Sequence, residues 1–342
     1  MPVQIRWRRD TAANWTANNP TLAQGEPGFE TDTGKYKIGD GVAAWITLSY
    51  GAFSSENIAA LFTDQTGQTI SAPASGKMLL YAKSIAGRMM VKQYGPTGLA
   101  TTLQPFFARN KVGYWAPQGN STTVPGVFGY TAPTAIGTIT AANVATANLF
   151  TRMRRMSYVS ATTASSYAGQ RVSVAQVCMD SGFYKIVRFG ISDAVLASPV
   201  NMFVGVSSTT SAPSGGTEPS ALTNCIGVGH ASTDTNLKIF FGGSAAQTPI
   251  DLGSNFPINT IGTDAYELAL FVPPGADNTV YYEVTRINTG NVATGTISAD
   301  TGGITLPAPL LLLNYCWHWR CNLATGVAVG LDIMSDYIET DN

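Results

Sequence analysis

The apolar residues of this chain fall in short runs separated by clusters of Gly, Ser, Thr, Pro and Asn. Beyond residue 108 such runs include FYKIVRFGIS, NMFVGVSS, YELALFVPPG and TVYYEVTRI. Short alternating runs between turn residues are typical of β-strands, and the spacing leaves no room for the helices of βαβ units. The pattern therefore predicts an all-β chain in which 108–342 form a large antiparallel β-sandwich or jelly roll. One segment, 147–159, fits either a helix or a strand.

The first 107 residues differ from this pattern. In 1–50 an alternating stretch, VQIRWRR, predicts a strand, AANWTAN predicts a short helix capped by Thr11, and a hairpin follows around Gly34. In 51–107 a short helix at 54–62 and a hairpin, YAKSIAGRMMVK, predict a connecting helix and a β shaft or collar. The loop KIGDG lacks the lysine and helix of a P-loop and the ligands of an EF-hand, so it is interpreted as a tight turn stabilised by Asp40.

Charge and hydropathy narrow the classes of partner. Charged residues make up 12% of the chain, about half of the ordinary share, and the net charge is −1. These values disfavour nucleic acid, and no apolar run reaches the roughly 20 residues of a membrane span. A surface so poor in charge favours burial between subunits, so we expect an oligomer. No apolar leader follows the first residues, and cytosolic synthesis is expected.

The segment YCWHWRC raises the question of a metal. Alternation places Cys316 and His318 on one face of a strand and Cys321 on the other. A zinc site would need a bulge there and a fourth ligand from Cys178, Cys225 or His230. We therefore expect four free thiols, no metal and no cofactor.

Two groups of residues are candidates for glycan contact. Tyr315, Trp317 and Trp319 share a predicted strand face, and aromatic rings stack on sugar faces. The alternative is that they lie in the core or a trimer interface. A basic cluster is formed by Arg152, Arg154 and Arg155, which could contact phosphate groups or could simply be solvated.

Catalytic patterns are weak. Neither histidine accompanies a serine elbow, and Asp332 and Asp336 are expected on one side of a strand, about 13 Å apart by strand geometry. That separation exceeds the about 5–9.5 Å of a glycosidase carboxylate pair. The sequence therefore predicts that the chain is not an enzyme, with glycan cleavage as an alternative.

The order of motifs over residues 3–50, namely IRWRR, TAANW and GEPGFETDTGKYKIGDG, resembles the N-terminal domain of bacteriophage tail-fibre and receptor-binding proteins that is named for the major tropism determinant. This resemblance implies a small trimerising β-prism that attaches the protein to other tail or baseplate proteins of the virion. The more distal sequence also resembles β-rich phage tail proteins.

The expected protein is thus a homotrimeric tail fibre or receptor-binding protein, located in the virion tail. Residues 1–50 would attach to the virion, 51–107 would connect, and 108–342 would bind a host-surface glycan or other receptor. The polar connections 207–224 and 242–264 are candidate contact loops. Alternatives are a virion component without receptor activity (baseplate, collar or head-decorating fibre), a tailspike that cleaves the glycan, and a host-derived carbohydrate-binding module.

Overall fold

The structure is a computed structural model that describes residues 7–51, 61–96, 100–102, 111–117, 132–142, 144–193, 199–258, 261–275, 279–298 and 303–340. The chain divides into two compact units, 1–63 and 64–342. Most of the predicted helix at 54–62 and the start of the first predicted strand lie outside the described residues. None of the helices in the described part of the chain has the length and apolarity that a membrane span requires.

The first unit is a three-stranded sheet beside a short helix. Its elements are β1 (Arg8–Asp10), α1 (Ala12–Asn18), β2 (Pro27–Glu30), β3 (Tyr36–Ile38) and a 3-10 turn (Trp45–Thr47). β1 pairs with β2 in parallel, and β2 pairs with β3 antiparallel. Thr11 caps α1 as predicted, because its hydroxyl accepts a hydrogen bond from the Asn14 amide.

Two tryptophans form the core of this unit. The rings of Trp15 and Trp45 stack with their centroids 4.1 Å apart, and Leu22 completes the cluster. Gly28 lies against them so closely that a Cβ there would be 2.5 Å from the Trp45 ring. The loop KIGDG is a tight turn, as predicted. Asp40 accepts hydrogen bonds from the amides of Ala43 and Val42, which lower the pKa of its carboxyl group.

The second unit begins with a three-stranded sheet of β4 (Leu79–Ile85), β5 (Arg88–Tyr94) and β6 (Ala100–Thr102). The tip of its hairpin is Ala86-Gly87, where both residues have positive φ (47° and 70°), as a two-residue type I′ turn requires.

Two antiparallel sheets form the sandwich, which confirms the predicted fold class. The first has eight strands, which are β7 (Lys111–Trp115), β9 (Thr138–Ala142), β10 (Arg155–Val159), β12 (Phe183–Ile191), β17 (Ala265–Val272), β18 (Thr279–Arg286), β19 (Asn291–Ser298) and β21 (Gly330–Thr340). Its order is β19-β18-β17-β12-β21-β10-β9, and β7 also pairs with β21.

The second sheet has seven strands, which are β8 (Thr134–Ile136), β11 (Ser166–Arg171), β13 (Val200–Ser207), β14 (Cys225–His230), β15 (Lys238–Gly242), β16 (Ile250–Asp251) and β20 (Asn314–Asn322). Its order is β16-β15-β14-β13-β20-β11-β8. The segment 147–159 contains both predicted alternatives, a one-turn helix α2 (Leu149–Arg152) followed by β10. A short 3-10 turn (Pro219–Ala221) precedes β14.

The main core lies between the two sheets. Alternate residues of each strand point into it, for example Val187 and Phe189 of β12, and Val204 and Val206 of β13. Several polar side chains interrupt this apolar interior, and these are described below.

The β4–β5 hairpin packs on the outer face of the first sheet. Ala86 at its tip is buried against Tyr184 and Ala269, and a Cβ on Gly87 would be 2.5 Å from the ring of Tyr281. Arg88 forms an ion pair with Glu339, and its guanidinium lies 4.9 Å from the Tyr184 ring centroid. This part of the predicted shaft is therefore built onto the sandwich. The domain boundaries at residues 50 and 107 stay predictions.

Candidate functional site

A β-bulge in β20 separates the three predicted aromatic residues. Gly205 of β13 pairs with Trp317 but Ser207 pairs with Asn314, so β20 carries one extra residue between them. Tyr315 consequently packs in the core between the sheets, whereas Trp317 and Trp319 lie on the outer face of the second sheet. The prediction that the three rings share one face is wrong, because regular alternation does not hold across a bulge.

The outer face of the second sheet carries an aromatic cluster. It contains Phe203, Phe240, Trp317 and Trp319, with Tyr167 packed beside them. The rings of Trp317 and Trp319 meet edge to face at 5.6 Å, and Tyr167 meets Trp319 in the same way at 5.6 Å. All the rings except that of Tyr167 are buried. Glycan contact through Trp317 and Trp319 stays a prediction, and any such contact requires that their cover moves.

Residues 208–218, here called the strap, cross this cluster. The Ser211 carbonyl accepts a hydrogen bond from Trp317 Nε1 at 2.8 Å, and the Gly216 amide donates to the Tyr167 hydroxyl at 2.7 Å. The Thr217 carbonyl accepts from Asn201 Nδ2 at 3.1 Å. Burial, with the nearby Cys321, raises the pKa of Tyr167 to about 12. The strap belongs to the connection 207–224 that the sequence marked as a contact loop.

The interior holds a cluster of Cys316, His318 and Asp336, whose ligand atoms lie within 4.8 Å of one another. His318 Nδ1 accepts from the Gly205 amide at 3.1 Å, and its Nε2 donates to Asp336 at 2.8 Å. Lys185 pairs with the other oxygen of Asp336. Both ring nitrogens are therefore used, and an ammonium group already neutralises the carboxylate, which leaves little capacity for a metal.

Ionisation in this cluster follows from burial and from the ion pair. Burial, followed by the charge of Lys185, lowers the pKa of His318, so the ring is neutral. Burial alone would raise the pKa of Asp336, but Lys185 and His318 outweigh it, and the net shift is downward. Burial raises the pKa of the Cys316 thiol well above its usual value. The sequence considered Cys316, His318 and Cys321 as ligands, but Cys321 lies on the opposite face. Asp336 and Lys185 were missed, because they come from distant strands.

A second buried network links the strands near the other end of β20. Arg320 makes a bidentate contact with Asp193, with distances of 2.7–3.1 Å, and donates to His230 Nε2 at 2.7 Å. Asp193 also accepts from the Gly330 amide. Because the guanidinium is fully buried and its partners are satisfied, this network holds β14, β20 and β21 together.

Asp332 and Asp336 lie on opposite faces of β21, which corrects the prediction that they share one side. Arg188 of β12 pairs with Ser335, but Phe189 pairs with Ile333, so Met334 is an extra residue in β21. Asp336 consequently points into the core, whereas Asp332 lies on the outer face and accepts from Arg155 at 2.7 Å.

The basic cluster at 152–155 is only partly free. Arg152 and Arg154 are exposed. Arg155 is paired with Asp332, and its guanidinium lies 4.6 Å from the centroid of the Phe150 ring. Two of the three predicted phosphate contacts are therefore accessible in this structure, and the role of all three stays a prediction.

A pair of glutamates lies on the outer face of the first sheet, beside the β4–β5 hairpin. Glu267 of β17 pairs with Thr285, and Glu283 of β18 pairs with Ala269, so the two glutamates are diagonal neighbours on one face. Glu267 binds Arg188 at 2.5 Å, and Glu283 accepts from the Ala86 amide at 3.3 Å. Burial is the main cause of a raised pKa at Glu283, and Glu267 adds to it. No sequence pattern indicates this pair, because the two glutamates become neighbours only when the two strands align.

Comparison with known proteins finds one family and one phage protein that each match a short part of this chain. Residues 5–43 match the family described as the major tropism determinant N-terminal domain. A hyaluronoglucosaminidase of Streptococcus pyogenes phage H4489A is 40% identical over 50 residues, which are 15% of this chain and 14% of that protein. The prediction that this chain is not an enzyme is corrected by this match, since a phage protein that shares a segment with it is named as an enzyme.

Solved structures resemble the sandwich at low sequence identity. Lectin UEA-II complexed with galactose is 11% identical with a TM-score of 0.45, and the match covers 68% of this chain and all of the lectin. A protein of unknown function from Shewanella oneidensis MR-1 is 12% identical with a TM-score of 0.42, covering 67% of this chain and 85% of that one. At these scores the likenesses say nothing about what the chain binds. The resemblance to phage tropism-determinant proteins that the sequence predicted is confirmed over residues 5–43.

Proposed function

We propose that this protein is a bacteriophage virion protein of the tail-fibre or receptor-binding type, which attaches the particle to a glycan on the host surface. The observation that carries the proposal is the match of residues 5–43 to the major tropism determinant N-terminal domain. In this proposal residues 1–50 attach to tail or baseplate proteins, and the sandwich faces the host.

A homotrimer fits this role. The first unit exposes large apolar side chains, among them Val42 at 85%, Ile46 at 55% and Ile38 at 53% exposure. Further copies of the chain would cover such side chains, and only 12% of the residues are charged. Three weak glycan sites on one trimer would gain avidity through their high effective concentration.

The test is competition with phage adsorption by the full-length chain. Purified protein should bind host cells and reduce adsorption of the phage in proportion to its concentration. Protein that neither binds cells nor competes, together with its location at the capsid or the inner tail by electron microscopy, would instead indicate a structural virion component.

Glycan cleavage is the second candidate function, favoured by the phage relative named as a hyaluronoglucosaminidase. The pair Glu267 and Glu283 offers the required chemistry. Diagonal neighbours of this kind are about 7–8 Å apart at the backbone, and from there two glutamate side chains can bring their carboxyl groups to the about 5–9.5 Å that glycosidases use. Glu283, with its raised pKa, would serve as the acid, and Glu267, which forms an ion pair with Arg188, would be the second carboxyl group of the pair.

The experiment is incubation of the full-length chain with hyaluronan and measurement of new reducing ends. Glu283→Gln should lower the rate by at least about 100-fold, because it removes the proton donor. Glu26→Gln, a partly exposed glutamate of the first unit, is the matched control and should leave the rate unchanged. Full activity in Glu283→Gln would exclude this pair as the catalytic residues. An inactive wild-type protein would refute hyaluronan cleavage as a function of the chain.

A further inference from the structure

We propose that the strap, residues 208–218, is the removable cover of a saccharide site formed by Tyr167, Trp317 and Trp319 on the outer face of the second sheet. The inference rests on the proposed glycan-binding function and adds to it the site, the class of ligand and the way in which the site opens.

Two buried polar atoms beneath the strap have no hydrogen-bond partner among the described residues. They are Trp319 Nε1, a donor, and Asn201 Oδ1, an acceptor, and both residues are fully buried. Buried polar groups without partners are costly and rare, and each one calls for an explanation.

The sheet register places the two residues that carry these atoms next to each other. Asn201 of β13 pairs with Cys321, and Phe203 pairs with Trp319, so Asn201 and Trp319 are diagonal neighbours on the same outer face. One sugar with neighbouring hydroxyl groups can donate to Asn201 Oδ1 and accept from Trp319 Nε1. The protein thus supplies one donor and one acceptor on neighbouring residues of one sheet face, next to aromatic rings.

The strap is held by polar contacts and not by a core of its own. Its sequence, STTSAPSGGTE, contains no large apolar side chain. Its hydrogen bonds to the sheet beneath are those of Ser211 to Trp317, Gly216 to Tyr167 and Thr217 to Asn201, and those that the carbonyls of Thr209 and Thr210 accept from Asn314 and Arg171. Lifting the strap therefore breaks a few hydrogen bonds, which hydroxyl groups of a sugar can replace, and exposes the ring faces for stacking.

Both ends of the strap are fixed independently of the cluster. The Ser208 amide donates to the Asn224 carbonyl at 2.9 Å, and Glu218 accepts from the Ser232 amide at 2.9 Å. Gly215 and Gly216, with φ of 65° and 70°, supply backbone freedom between these ends. The strap can therefore move as a loop while the sheet beneath it stays intact.

The chemistry of the site indicates a neutral saccharide. The site is formed by uncharged side chains, namely Tyr167, Asn201, Phe203, Trp317 and Trp319. The charged groups near the strap are already engaged, since Arg171 donates to the Thr210 carbonyl and Glu218 binds Ser232. A neutral hexose or N-acetylhexosamine fits these groups better than an anionic sugar does.

A disulfide can lock the strap. A Cβ built on Gly216 lies 4.0 Å from the Cβ of Ser165, within the about 3.5–4.5 Å that disulfides span. The test uses the full-length double variant Ser165→Cys/Gly216→Cys, oxidised or reduced, with wild type and Ser165→Cys as controls. The probes are immobilised galactose, glucose, mannose and N-acetylglucosamine, and whole host cells. The reduced double variant also shows whether the substitutions themselves disturb folding.

Wild-type and reduced protein should bind at least one of these sugars, and oxidation should weaken that binding by at least about 100-fold, because the open form is no longer populated. Equal binding by the oxidised and reduced forms would overturn the site but leave the proposed function intact. Wild-type protein that binds host cells but none of the sugars would also overturn the site. Wild-type protein that binds neither cells nor sugars would refute the proposed function, and the site with it.

Discussion

Acidification from pH 7.5 to 5.5 should destabilise the sandwich, because the chain has two histidines and both are buried as neutral rings. The Nε2 atom of His230 accepts a hydrogen bond from Arg320 at 2.7 Å, and its Nδ1 atom faces the Ala231 carbonyl at 3.1 Å. Burial, and then the charge of Arg320, lower the pKa of this ring to about 3.

The magnitude follows from proton linkage. In the unfolded chain His230 has a pKa of about 6.5, so at pH 5.5 the unfolded state binds a proton that the folded state does not. Stability that is present above pH 6.5 is therefore lost as the pH falls towards the folded pKa. At pH 5.5 the loss from His230 is about 1.4 kcal/mol, and His318, whose pKa is also lowered, adds a loss of the same sign. The total free energy of unfolding of a folded domain is only about 5–15 kcal/mol, so this loss is a substantial part of it.

Urea unfolding of the full-length chain at pH 7.5 and 5.5, at one protein concentration, measures this difference. His230→Gln is the informative variant, since an amide oxygen can still accept from Arg320 but does not titrate. Its loss of stability between the two pH values should be smaller than that of the wild type by about 1.4 kcal/mol. A wild type equally stable at both pH values, or a variant with unchanged pH dependence, would refute the reasoning.

Three further predictions concern assembly, thiols and the hairpin. Light scattering should give about three times the 36.0 kDa chain mass, and a stable monomer would contradict the trimer. The four cysteines, which are free and buried, should be unreactive in the native protein and all titrate in denaturant, with no metal released; one zinc per chain would contradict this. Arg88→Met should cost about 3–5 kcal/mol in urea unfolding, because the buried carboxylate of Glu339 loses its counter-charge and keeps only the hydrogen bond from the Tyr337 hydroxyl, whereas exposed Lys77→Met should cost almost nothing.

Sequence patterns predicted the fold class well, because alternation in runs such as those of β12 and β17 depends only on local side-chain direction. They failed at β20 and β21 for one common reason. Each of these strands contains a β-bulge, which reverses the face of every residue beyond it. Tyr315 was consequently grouped with Trp317, and Asp332 with Asp336. No local feature of either segment marks the extra residue.

The polar contacts were harder to predict than the strands. Lys185 pairs with Asp336 across 151 residues of sequence, and Arg320 pairs with Asp193 across 127. Such pairs depend on strand order, which alternation does not encode. The domain at residues 5–43 could be recognised directly from the sequence, because its characteristic turns and aromatic residues are close together in the chain.

The positions of β20 and β21 have a consequence for synthesis of the protein. These two strands follow all the other sandwich strands in the chain, yet β20 lies between β13 and β11, and β21 lies between β12 and β10. Neither sheet can complete its strand pairing until residues 314–340 have left the ribosome. Until then the partner strands present unpaired backbone edges, which favour aggregation. The nascent chain should therefore depend on chaperones or rapid synthesis more than a sandwich whose last strands lie at its edges.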